Sequence, residues 1–254
     1  MTSKKHWTLR AAGLLFALVL ITSCFVGGTF AKYVTSKSAS DIARVARFGV
    51  KITAEDHTAF KTTYTTDATD LSIGVNSVIS SIGTSGTREK VVAPGTGEDN
   101  AATLSITGKP EVAVHVELTM SGMDVFLEAG EHPDLTATSP TAKFTLNDRY
   151  YPVVFTLKKG GTELASGTIS KINTYLADLS KNYDAGTDLS TVFGTYTLSW
   201  EWAFEDPTID NKDQADTLLG ALAAKPSAFP SYALGTNYQT GIGFTLAATV
   251  TQID

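Results

Sequence analysis

One short stretch carries most of the residues that could do chemistry: Asp206, Asp210, Asn211, Asp213 and Asp216. Ca²⁺ takes roughly six to eight hard oxygen ligands, so this is the metal-like cluster of the chain. It lacks the alternating Asp-x-Asp-x-Asp, the central Gly and the closing Glu of an EF-hand, and a solvated acidic turn ahead of a helix accounts for the same residues. His57, His115 and His132 stand singly and read as solvated side chains, not as a zinc set or a catalytic base. No His-Glu-x-x-His, Gly-x-Ser-x-Gly or Walker loop occurs, so neither an enzyme nor a cofactor is expected. Trp200 and Trp202 could stack on sugars, yet they alternate with Leu198 and Phe204, which places both indoles in a core.

Cys24 is the single cysteine, and two chemistries compete for it. Ile21-Thr22-Ser23-Cys24 fits a lipobox, in which the thiol is acylated and anchors the chain. The same cysteine also fits an apolar export segment. Lys4, Lys5 and Arg10 precede Ala11–Ala31, which holds no charge, and Thr29 and Ala31 stand at −3 and −1 of a cut between Ala31 and Lys32. A basic n-region, an apolar h-region and a small-residue site make a signal peptide cleaved by signal peptidase. The competing reading is a retained transmembrane helix, since 21 uncharged residues can just span a bilayer; the Gly27-Gly28 pair argues against it.

Removing residues 1–31 takes away three basic and no acidic residues, so the net charge moves from −6 to −9. The mature chain is then an acidic, cysteine-free, secreted protein of the matrix or cell surface. It meets a membrane only through an uncleaved or lipidated N-terminus. No basic face is present to neutralise phosphates, which excludes a nucleic-acid partner.

The elements that must position these residues are short strands. Glu111–Met120 alternates Val112, Val114, Val116, Leu118 and Met120 against polar residues; Thr197–Phe204 and Gly241–Gln252 behave alike, the last with Ile242, Phe244, Leu246, Ala248 and Val250 on one face. Tyr151–Lys158 and Ala43–Ile52 are further strands. Lys158-Lys159-Gly160-Gly161-Thr162 reads as a hairpin turn. Ser170–Lys181, capped by Ser170, and Gln214–Ala224, ending before Pro226, have helical spacing. Gly83–Gly97 is rich in turn residues and reads as a loop. The whole is an all-β, antiparallel β-sandwich with short helical insertions.

Gly28-Thr29-Phe30-Ala31-Lys32-Tyr33, Ala43-Arg44-Val45-Ala46-Arg47-Phe48-Gly49-Val50 and Val92-Ala93-Pro94-Gly95-Thr96-Gly97 resemble Gram-positive exported proteins with a SipW-type signal peptide. These include the biofilm-matrix fibre protein TasA and camelysin. Ser199-Trp200-Glu201-Trp202 and Asp216-Thr217-Leu218-Leu219-Gly220 are similar to less characterised members. The resemblance implies a jelly-roll fold, with 1–31 as signal peptide, 32–48 as a donor strand and 49–254 as the sandwich. It further implies self-association into extracellular fibres by donating Tyr33, Val34, Ile42, Val45 and Phe48 to the next copy. Camelysin's protease label is not carried over, because no zinc motif is present. The alternative is a membrane-anchored lipoprotein or an adhesin-type binding module.

Overall fold

A computed structural model describes residues 44–66, 77–80 and 90–253. The chain divides into Met1–Val45 and Ala46–Asp254, and the second unit carries the fold. In chain order its elements are β1 (Val50–Asp56), β2 (Thr63–Thr66), β3 (Ser77–Ser80), β4 (Thr96–Gly108), β5 (Val114–Met123), β6 (Phe126–Leu127), β7 (Gly130–Pro133), β8 (Lys143–Leu146), β9 (Val153–Lys159) and β10 (Thr162–Gly167). Then come α1 (Ile169–Leu179), β11 (Lys181–Tyr183), the one-turn α2 (Leu189–Val192), β12 (Gly194–Trp202), α3 (Lys212–Ala224), β13 (Tyr238–Gln239) and β14 (Gly243–Gln252). The unit is mostly β, and every named strand pair is antiparallel.

Two larger sheets share one core. The five-stranded sheet runs β1-β4-β12-β9-β10 and the three-stranded sheet β11-β5-β14. Val114, Val116, Leu118 and Met120 of β5 point inward, and Leu104, Ile106, Phe155, Leu157, Leu198 and Trp200 come from the larger sheet. This period-2 alternation carries the apolar set of each strand to one face. β9 and β10 join through Gly160 (φ +56°) and Gly161 (φ +82°), a two-residue turn whose left-handed backbone suits glycine and matches the twist of the strands.

Several strands depart from the sequence reading. The strand expected over Ala43–Ile52 begins only at Val50, because Gly49 adopts φ +58° and interrupts the extended run. Gly97, expected in a loop, lies inside β4. The strand expected to end at Phe204 ends at Trp202, and Phe204 is exposed. Ser199, expected on the polar face, is buried next to a β-bulge between Leu198 and Trp200, where β4 carries extra residues and the facing pattern slips.

The helices sit where their periodicity puts them, with different ends. α1 is capped by Thr168, whose hydroxyl accepts from Lys171 N, not by Ser170. It stops at Leu179, and Lys181 belongs to β11. The Asp124 carboxylate meets the first α1 amide, Ile169 N, at 3.2 Å, a charge-assisted cap at the positive end of the helix. Ile169, Ile172 and Leu176 bury the apolar stripe of α1 against β5 and against β9 and β10. The helix thus seals one open side between the two sheets.

Candidate functional site

The opposite side, between β1 and β14, has no such helix among the described residues. There a cleft of about 440 Å³ is lined by Phe60, Ile242, Phe244 and Leu246, with Glu55 and Lys90 as its charged members. Phe60 lies 5.3 Å from the Trp200 ring and 6.0 Å from Phe244, and Phe244 lies 5.6 Å from Phe155. The cleft floor is therefore continuous with the core. β1 pairs only with β4 and β14 only with β5 among the described strands, so both rims carry unpaired backbone donors and acceptors. Chemically this is a receptor for an extended chain: apolar side chains fill the cleft while the added backbone completes a sheet.

Of the residues expected in the donor strand, Tyr33, Val34 and Ile42 lie outside the described residues, as do Ala31 and Lys32 at the cleavage site and Cys24. Val45 is 92% exposed and Phe48 39% exposed, and Arg44–Gly49 is neither helix nor strand. The root of this segment is fixed within the domain. Arg47 N donates to Glu111 Oε2 at 2.9 Å and Glu111 N donates to Arg47 O at 3.0 Å, a reciprocal pair that holds the chain where it enters β1.

The acidic stretch does not form a calcium cage. Asp216 faces inward and accepts from Tyr150 Oη at 2.7 Å and Trp202 Nε1 at 3.2 Å on one oxygen, and from Lys212 Nζ at 2.5 Å on the other. The Lys212 and Asp216 side chains are only 7% and 8% exposed. Asp206 instead accepts from the Thr208 amide and hydroxyl, which holds its carboxyl below the usual range. Asp210 and Asp213 face solvent, and Asn211 takes φ +58° while its amide donates to Thr145 O. Among the described residues no three His, Cys, Asp or Glu side chains converge on a metal position. Three donors fully engage Asp216, so the group most buried in this stretch is a structural counter-ion to Lys212.

One histidine also differs from expectation. His132, read as solvated, is 5% exposed: its Nδ1 meets Tyr232 Oη at 2.8 Å, its Nε2 meets Glu128 O at 2.8 Å, and its ring lies 5.3 Å from Phe144. A carbonyl only accepts, so Nε2 carries the proton and Tyr232 donates to Nδ1 in the neutral ring. His115 is hydrogen-bonded to Asn182 Oδ1 at 2.7 Å and His57 to Thr103 Oγ1 at 3.2 Å. The His57 and His132 contacts tie loops to strands, and His115 joins β5 to β11.

Buried tyrosines give the domain an alkaline limit. Burial pushes Tyr196 up to about 12, and burial followed by the Asp216 charge raises Tyr150 further; burial also raises Tyr183 and Tyr232. A raised folded value means the proton is held more tightly in the folded state. This stabilisation is intact below the unfolded tyrosine value near 10 and is lost as the pH climbs through the folded values. Urea midpoints are expected to hold level up to about pH 10 and then fall, and Tyr196→Phe should flatten part of that fall. A midpoint that stays level to about pH 12 would contradict the assignment.

No family model, curated protein or solved structure matches this chain. The Asp216 network was foreshadowed in the sequence by the i, i+4 spacing of Lys212 and Asp216. The open cleft had no such signal, because it is made by two strands, β1 and β14, nearly two hundred residues apart in sequence.

Proposed function

We propose that the protein is an exported structural protein of the cell surface or biofilm matrix that assembles by strand donation. The two facing sheets are read as a jelly-roll-like sandwich, and Lys32–Phe48 of one copy adds to a free sheet edge of the next. The observation that carries this reading is the asymmetry of the two sides. Among the described residues, α1 closes one gap between the sheets, while the other keeps an apolar cleft between two edge strands, each paired on one side only. The resemblance of residues 28–50 to TasA- and camelysin-like proteins supports the same reading. Such contacts are head-to-tail and need not close, which is how one protomer gives a filament.

Processing tests the donor. The intact mass of the exported protein is expected to begin at Lys32, after removal of residues 1–31 by signal peptidase. A product that begins at an acylated Cys24 would replace the fibre with a membrane-anchored lipoprotein.

A further inference from the structure

Natural sheets guard their edges with charge, proline, bulges, short strands or a covering element, and three of the four edges of the two large sheets are guarded. β1 carries Lys51 and Glu55. β10 has a register shift between Glu163 and Ala165 and lies against α1. β11 is three residues long and carries Lys181. Among the described residues β14 has none of these devices. Its ten residues, Gly243-Phe244-Thr245-Leu246-Ala247-Ala248-Thr249-Val250-Thr251-Gln252, include no charge and no proline, and all ten pair with β5 without a bulge.

A second observation points to what is missing beside it. The inward residues of β5, from Val114 to Met120, are fully buried. Their neighbours Phe244, Leu246, Ala248 and Val250 on β14 are only half-buried. Apolar side chains at an open rim gain burial when another strand is laid alongside.

We propose that β14 is a self-pairing edge, through which two copies join antiparallel about a two-fold axis at Ala247. The two three-stranded sheets then become one six-stranded sheet. Directly opposite residues of an antiparallel pair share a face. Centred on Ala247, the register sets Phe244 against Val250 and Leu246 against Ala248 of the other copy, large against small, with Thr245 against Thr249 on the outer face. No like charges meet. The contact is isologous and closes on itself, so it pairs copies side by side and leaves β1 free for any end-to-end contact. It stands independently of strand donation.

Ala247 on the axis allows a charge-swap test. Ala247→Lys and Ala247→Glu each place two like charges directly opposite one another on the outer face. The experiment is sedimentation velocity on the secreted chain and on the same chain lacking Lys32–Ile42, with circular dichroism to check folding. Without Lys32–Ile42 the unsubstituted chain is expected to be a dimer, each Ala247 variant in that background to self-associate roughly tenfold more weakly or worse, and an equimolar mixture of the Lys and Glu variants to recover the dimer; in the secreted chain the same pairing persists within larger assemblies. Monomeric unsubstituted protein, or a mixture that does not recover, would overturn the proposal. So would loss of the dimer on deleting Lys32–Ile42, which would give this edge to the donated strand.

Discussion

Asp216→Ala should lower the unfolding free energy by about 3–5 kcal/mol, the cost of leaving one member of a buried ion pair without its partner. The carboxylate is the acceptor for Lys212 Nζ, Tyr150 Oη and Trp202 Nε1 together. Its removal strands a buried ammonium and two neutral donors at once, each of which has given up water. Asp216→Asn separates the contributions, because the amide keeps an oxygen for Tyr150 and Trp202 but not the charge for Lys212. The double variant Lys212→Met with Asp216→Leu should recover the part of the loss due to the stranded ammonium, since an apolar pair of similar volume is often as stable as a buried ion pair, and keep the part due to the Tyr150 and Trp202 donors. Urea denaturation of the four proteins checks this. A cost for Asp216→Ala within about 0.5 kcal/mol, the range of a surface substitution, would mean that the network stabilises nothing.

Trp200→Ala should cost about 3–5 kcal/mol as well, for a different reason. The indole is 2% exposed, so truncation leaves a cavity that the two sheets cannot close. Its Nε1 donates to Ala59 O at 2.7 Å across 141 residues of sequence, and its ring supports Phe60 at the cleft floor. Trp200→Phe refills much of the volume but leaves Ala59 O without this donor, so an intermediate loss is expected. The truncation should also loosen the 57–60 connection that forms one wall of the cleft. Calorimetry gives the stability change, and faster hydrogen exchange around Ala59 would report the wall directly.

These two sites show what could be read along the chain and what could not. β5, β9, β14 and the glycine hairpin at 160–161 were legible because one face of each strand meets the core and the other meets water, which writes a period of two into the residues. The interior strand β4 was not legible. Its first half, Thr96-Gly97-Glu98-Asp99-Asn100, is poor in strand-forming types, and it is held in the sheet by pairing with β12 through Glu98 and Trp200 and with Thr96 opposite Trp202. Tertiary contact overrides local preference there. The alternation through Trp200 and Trp202 correctly placed both indoles inside, yet it carried the strand too far, to Phe204.

The candidate sites follow the same division. Asp216 belongs to an acidic run that suggests calcium; its i, i+4 spacing from Lys212 is local, but only the fold brings Tyr150 and Trp202 to it. His132 reads as an isolated polar residue until the 226–238 segment brings Tyr232 against it. The open side of the sheets is the least local feature of all, since it depends on which gap α1 fills. What the sequence does carry for that surface is the charge-free composition of β14.

The central claim, assembly through residues 32–48, is tested most directly by electron microscopy of the mature secreted chain beside the same chain lacking Lys32–Ile42. Filaments that form from the intact mature chain and vanish with the deletion, while the truncated protein keeps its circular dichroism spectrum, are the predicted result. Intact mature chain that stays free of filaments at high concentration, or filaments that persist without Lys32–Ile42, would contradict it.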